Sequence, residues 1–242
     1  MASLLSFLAA SLIAATHLLT GRPGFHLRQG SAWLSAAGGA SVAYVFIYLL
    51  PKLAKKQALV DANIGAGLLG HWQNHVYLVA MLGLILFHGT TSVRNPASPQ
   101  RRTLADKLHI ASFVLYALIV GHLLANFDPD NPVGLALAAV TLALHFIGTD
   151  LELRHRYASY YASRVRWFLA IGVYAGWLIG EAFAVPKPVQ TLLFAFLAGA
   201  IIINVMREEI PDESQVQGLA FLGGAIAYTA LIVLILESDR LT

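Results

Sequence analysis

The stretch TLALHFIGTDLELRHR, residues Thr141 to Arg156, starts as apolar sequence and ends in acids and bases. A helix that crosses a bilayer reads this way, apolar where lipid surrounds it and charged where it leaves. Within the same stretch His145, Asp150 and Glu152 raise the question of what ionisable groups do at membrane depth.

Composition widens that reading to the whole chain. Of 242 residues, 57% are hydrophobic and only 12% charged, and the mean hydropathy is +0.67. Soluble domains carry about a quarter charged residues, so the balance is that of a polytopic membrane protein. A bilayer core of about 30 Å takes roughly 20 apolar residues per helical span. Apolar runs then fall at roughly 2–20, 31–51, 74–93, 104–126, 133–154, 165–185, 189–207 and 216–237. The expectation is an all-α polytopic membrane protein, with residues 1–242 forming one domain of eight transmembrane helices. The first run, MASLLSFLAASLIAATHLL, lacks the basic start of a cleaved signal peptide and reads as a retained span. The absence of cysteine excludes disulfides and thiolate metal sites. The net charge is only +3, with no single basic face, which argues against a nucleic-acid partner.

Lysine and arginine placement sets the orientation. Beside the loops after spans 1, 3, 5 and 7 lie eleven: Arg22, Arg28, Arg94, Arg101, Arg102, Lys107, Arg154, Arg156, Arg164, Arg166 and Arg207. The loops after spans 2, 4 and 6 carry four: Lys52, Lys55, Lys56 and Lys187. That bias puts the odd-numbered loops in the cytoplasm and both termini outside, and the expected location is a bacterial inner (plasma) membrane. Gly172, Gly176 and Gly180 form a small-residue seam for close helix packing, within the chain or across a homodimer. Gly223 and Gly224 read the same way.

Ionisable groups inside a span cost about 2.5–3.5 kcal/mol each on the insertion scale. His88, His109, His122 and His145 all fall inside spans. For each, a neutral imidazole hydrogen-bonded to a neighbouring helix competes with a role in moving ions or protons. On helical geometry His145, Thr149 and Glu152 share a face, whereas Asp150 lies about 140° round from His145. Glu152 sits beside Arg154 and Arg156, where an ion pair is expected. His71 and His75 in HWQNH are one turn apart and could catch a divalent or copper ion, or cap a helix at the interface. Glu208, Glu209, Asp212 and Glu213 cluster at the end of span 7, with Asn204 one turn inside, as an ion exit or a solvated helix end. No P-loop, nucleotide fingerprint, HExxH or GxSxG occurs, so an enzyme is not expected. An intramembrane hydrolase would need His109, His122, His145 and Asp150 to converge on one zinc ion.

Several segments resemble the ZIP (ZRT/IRT-like) metal transporters. GGASVAYVFIYLLPKL resembles that family's second helix, and LLFAFLAGAIIINVMREEIPDE its seventh. ALHFIGTDLEL with RYASYYASRVRWFLAIGVYAGWLIG resembles the fifth and sixth in spacing and register. The resemblance covers most of the chain and implies a ZIP-like bundle with a divalent cation (zinc, iron or manganese class) as transported substrate, and no certain resident cofactor. It carries over His145 and Asp150, with Glu208 and Glu209 at the acidic end of span 7, as metal-site residues. Elsewhere the chain departs from the pattern. Ser112, Phe113 and Tyr116 stand at the fourth-helix ligand positions, where only Gly121 is kept. Gly148 and Thr149 replace the fifth helix's proline and second ligand, and Tyr48 and Lys52 replace second-helix ligands. The histidine-rich loop between spans 3 and 4 is reduced to RNPASPQRR. The expected function is therefore a ZIP-like carrier of a divalent cation or other small solute, through a degenerate site around His145. The alternative is a transport-inactive relative that acts as a sensor, scaffold or partner-binding subunit, with the lipid bilayer as constant partner in either case.

Overall fold

Backbone N–H and C=O groups cannot be left bare in lipid, and a helix satisfies them within one segment. Helix is the only regular structure among the described residues of the computed structural model, which cover 2–22, 31–63, 75–92, 99–183, 185–209 and 217–241. The elements are α1 (Ala2–Thr20), α2 (Ala32–Tyr44), α3 (Leu50–Asn63), α4 (His75–Ser92) and α5 (Pro99–Ala125). They continue with α6 (Pro132–Tyr160), α7 (Arg166–Ala182), α8 (Lys187–Asn204) and α9 (Gly218–Leu241). Five stretches are long and apolar enough to cross a membrane: Ser3–Thr20, Ala32–Val60, Leu104–Ala125, Pro132–Ala182 and Lys187–Arg207. His75–Thr90 and Gly218–Leu234 are shorter apolar helices. Large apolar side chains such as Leu4, Phe46, Ile85, Ile171 and Leu234 are exposed, which suits a surface solvated by lipid rather than water. The described residues are helices joined by short connections, those of a multi-pass membrane protein.

Two stretches differ from the expected span boundaries. The second span continues from α2 through a π-helical turn, Val45–Leu49, into α3, so Lys52, Lys55 and Lys56 are helical rather than in a loop. Pro51 explains the turn: it has no N–H to give the preceding turn, and there the N–H of Leu50 reaches back to the Val45 carbonyl. The expected loop RHRYASYYASR is also helical, apart from Ala158, where φ is 36° and ψ −108°. The chain folds back at that residue. His17 and Thr20 of α1 touch Asp150, and Arg154 reaches the Thr20 carbonyl, so α6 runs alongside α1 in the same direction. Ser11, Ser6 and Ser3 meet Tyr174, Trp177 and Glu181 in turn, so α7 runs the opposite way.

Glycine sets the closest approaches. A Cβ on Gly121 would fall on the Val173 carbonyl oxygen, and one on Gly176 on that of Leu118, which seats α5 against α7. The same reciprocal contact joins α2 to α9 through Gly39 and Gly224, and α4 to α8 through Gly83 and Gly199. Gly172 and Gly180 complete the seam against Val114 and Ala125 of α5 in the same chain. Gly223, by contrast, faces open space.

Candidate functional site

Two positions in α1 and one in α6 make the most buried polar cluster among the described residues. Asp150 and His17 are both 0% exposed. The imidazole Nδ1 lies 3.0 and 2.9 Å from the two carboxylate oxygens, so Nδ1 carries the proton and donates it to Asp150. The Thr20 hydroxyl donates to the same carboxylate at 2.9 Å, and the Tyr161 hydroxyl, at 3.0 Å, donates to the Thr20 oxygen. Arg154 donates to the Thr20 carbonyl at 2.9 Å, tying the end of α1 to α6. Helix geometry explains the convergence. Thr16 bonds back to the Leu12 carbonyl of its own turn, and His17 and Thr20, three apart, present one face to α6. Asp150 is on the opposite side of α6 from His145, and that side faces α1. The His17 Nε2 has no hydrogen-bond partner among the described residues, and the ring packs edge-on against Phe146, 4.6 Å between centroids. A carboxylate bound to one imidazole nitrogen fixes the tautomer and orientation of the ring, the arrangement proteins use to prepare a histidine for a proton or a ligand.

His145 belongs to a neighbouring aromatic layer. Its ring is 6.0 Å from Tyr116 and 5.8 Å from Phe146. Thr149, at the resemblance's second-ligand position, spends its hydroxyl on the His145 carbonyl at 3.3 Å. Ser112 likewise donates to the His109 carbonyl at 2.7 Å. Asn204 is buried and its Nδ2 has no hydrogen-bond partner among the described residues. His75 is half-buried at the start of α4, while its proposed companion His71 lies outside the described residues, as do the side chains of Glu208 and Glu209 and all of Asp212 and Glu213. Among the described residues no three histidine, aspartate or glutamate side chains gather as a metal-binding group. Asp150 has been drawn to α1, and the fourth-helix positions hold a ring and a hydroxyl.

A second network closes the end of the bundle that carries the arginines. His109 Nδ1 is 2.8 Å from the Tyr157 hydroxyl, which donates to Asp106 at 3.3 Å, and Arg156 pairs with Asp106 at 3.6 Å. Arg207 meets His88 at 3.2 Å.

The opposite end is open. A cavity of about 1020 Å³ enters between α3, the α5–α6 connection and the start of α8, and reaches inward to Leu142, Ala198 and Ile201. Leu142 is one helical turn from His145, so the aromatic layer lies just beneath the cavity floor. Lys52, Lys56 and Lys187 stand in its wall, with Asp128 as the one acid there among the described residues. Lys52 donates to the Tyr48 hydroxyl at 2.9 Å and lies 4.9 Å from the Phe127 ring centroid and 5.6 Å from that of Phe194.

Sequence reasoning missed His17, Thr20 and Tyr161. The signal was available for His17: a histidine deep in the first apolar run meets the same criterion that singled out His88 and His145, and an aspartate in a span needs a partner. The lysine-walled cavity carried no such signal, because Lys52 and Lys56 read as loop residues. No protein-family model matches this chain, and no curated protein matches it.

Proposed function

We propose that this chain is a small-solute carrier built as an eight-span, ZIP-like bundle in an inner (plasma) membrane, with both termini outside. The observation that carries the reading is the cavity, open at one end of the bundle and closed at the other by the Tyr116–Phe146–His145 layer and the His17–Asp150 cluster beneath. A one-sided route that stops at a packed layer is the form one would expect of a carrier caught in one of its two states. The eight-span count is supported by the reversal at Ala158, which divides the 51-residue helical stretch Pro132–Ala182 into two antiparallel legs. At about 1.5 Å per residue the undivided stretch would be more than twice the thickness of the hydrocarbon core.

His145 acts in this reading as a gate residue under the cavity, and His17 with Asp150 as the buried proton-exchanging pair that responds when the layer opens. The test is uptake into proteoliposomes of zinc, iron(II) and manganese(II) and, in parallel, of organic anions, with and without a proton gradient. Uptake of at least one solute that His145→Ala changes several-fold is the expected result. A tight vesicle preparation that moves none of them overturns the carrier reading.

The transport-inactive reading, a sensor or scaffold, is favoured by one observation, the lack of a three-ligand metal group among the described residues. Elemental analysis of the purified protein separates the readings of the site: near-stoichiometric zinc, lost on His145→Ala, would restore the metal site to His145.

A further inference from the structure

We propose that the cavity binds an organic anion that carries an apolar chain, with its headgroup on Lys52 and Lys56 and its chain running inward along Leu142 and Ile201. The proposal rests on the same cavity as the carrier reading and names its substrate class.

Charge points first to an anion. Lys52 and Lys56 are successive turns of α3 on one face, and both stand in the cavity wall with Lys187. Among the described residues neither ammonium has a carboxylate within 4.0 Å; the close carboxylate contacts there belong to His17 with Asp150 and Arg156 with Asp106. Their neighbours are instead aromatic faces: Lys52 sits over Tyr48, Phe127 and Phe194, and Lys56 lies 5.2 Å from Phe194. Ring faces orient an ammonium without neutralising it, so its charge is still available to an incoming anion. Asp128, exposed at the mouth, offsets one charge of the three lysines and leaves the wall cationic. Such an entrance repels a divalent cation and attracts a carboxylate, sulfonate or phosphate.

The remaining wall points to an apolar chain. The polar amides at the mouth are engaged with the protein: Gln190 donates to Asn126 and to the Val185 carbonyl, and Asn126 to those of His122 and Gly180. Inward of them the lining is mostly Leu, Val, Ala and Ile, with the rings of Tyr44 and Phe194. A mostly apolar cleft with a few placed polar groups is how proteins bind small organic molecules, and the volume of about 1020 Å³ is at the upper end of such sites. A small hydrophilic anion would leave that lining wet, whereas an amphiphile matches both parts.

The experiment uses the full chain in phosphatidylcholine nanodiscs, with radiolabelled dodecanoate as probe and dodecyltrimethylammonium and zinc chloride as comparisons. Dodecanoate should bind saturably above empty nanodiscs and be displaced by dodecyl sulfate, and dodecyltrimethylammonium should bind at least tenfold more weakly. The double variant Lys52→Gln, Lys56→Gln should weaken dodecanoate about tenfold or more, as expected for losing charge-assisted contacts. Lys52→Arg with Lys56→Arg should retain binding, and Lys55→Gln, an exposed lysine outside the cavity wall, should leave it unchanged. A phospholipid source is distinguished by mass spectrometry. Co-purified phosphatidylglycerol displaced by dodecanoate assigns the headgroup to a membrane lipid, and its absence assigns it to a free amphiphile. Equal binding of the anionic and cationic probes, or full binding by the Gln double variant, overturns the proposal. Charge-selective binding without flux would sink the carrier reading and leave this one standing; flux of another solute without such binding would do the reverse.

Discussion

Asp150 shows how a single contact redirects the reading of a site. With one carboxylate oxygen on the imidazole of His17 and the other shared between that ring and Thr20, its close polar contacts lead to α1. Removing His17 leaves a fully buried carboxyl group without its main donor. Breaking a buried pair from one side costs about 3–5 kcal/mol, while replacing both partners can be far milder. His17→Ala is therefore expected to lower thermal stability in detergent steeply, and the double variant His17→Ala, Asp150→Ala to be no worse than His17→Ala alone. The measurement is a double-mutant cycle on melting curves, and simple additivity of the two losses would show that the pair does not act as a unit. Tyr161→Phe deletes the last donor of the chain that ends on Asp150 and should cost about 1 kcal/mol, near the net value of one hydrogen bond. A loss as large as that of His17→Ala would mean the tyrosine, not the histidine, holds the cluster together.

Helices in lipid gain little from hydrophobic burial against one another, so their association depends on how closely backbones approach. Adjacent glycines in α9 isolate that effect. A methyl group at Gly224 would fall on the Ala36 carbonyl of α2, whereas one at Gly223 meets nothing within 4 Å. Gly224→Ala is expected to cost about 1–3 kcal/mol by overpacking. Gly223→Ala should be neutral or stabilising by up to about 1 kcal/mol through helix propensity. Paired melting curves check this, and equal effects would mean the α2–α9 contact is not the tight one. At the α6–α7 reversal the opposite exchange applies. Ala158 is exposed and holds φ at 36°, a value glycine tolerates and alanine does not, so Ala158→Gly should gain about 1 kcal/mol. The apolar helices were legible in the sequence because apolar length alone marks them, and the seam at Gly172, Gly176 and Gly180 was legible by its spacing. The partner of that seam was not, since the spacing says that a backbone comes close and is silent on whose. The continuation of span 2 through Lys52 and Lys56 was hidden for a related reason: beside Tyr48, the aromatic rings that hold those ammonium groups, Phe127 and Phe194, come from the α5–α6 connection and α8, far along the chain.

Across the whole molecule the polar features separate by end. The arginine-rich end is closed by the Asp106–Arg156–Tyr157–His109 network, and the lysine-walled end is open to the cavity. Much of that division could be read from the chain, because lysine and arginine counts report loop placement directly. The cavity could not, because it arises where segments far apart in the chain meet and no one of them carries its signature. The two facts together make orientation the test with the widest reach. If the arginine end faces the cytoplasm, the cavity of this state opens outward, and the proposed anion would approach from outside the cell. The chain has no cysteine, so single cysteines report without background. Asp128→Cys and Lys187→Cys, both exposed at the cavity mouth, should react with a membrane-impermeant maleimide added to intact cells. Ser163→Cys, exposed at the reversal between α6 and α7, should react only after permeabilisation. The opposite pattern would turn the molecule over and make the cavity a cytoplasmic vestibule. Labelling of all three in intact cells would contradict the membrane placement of α6 and α7 as two separate spans. Preloading with dodecanoate extends the same measurement: an anion seated on Lys52 and Lys56 should slow labelling at position 187 and leave position 163 unchanged.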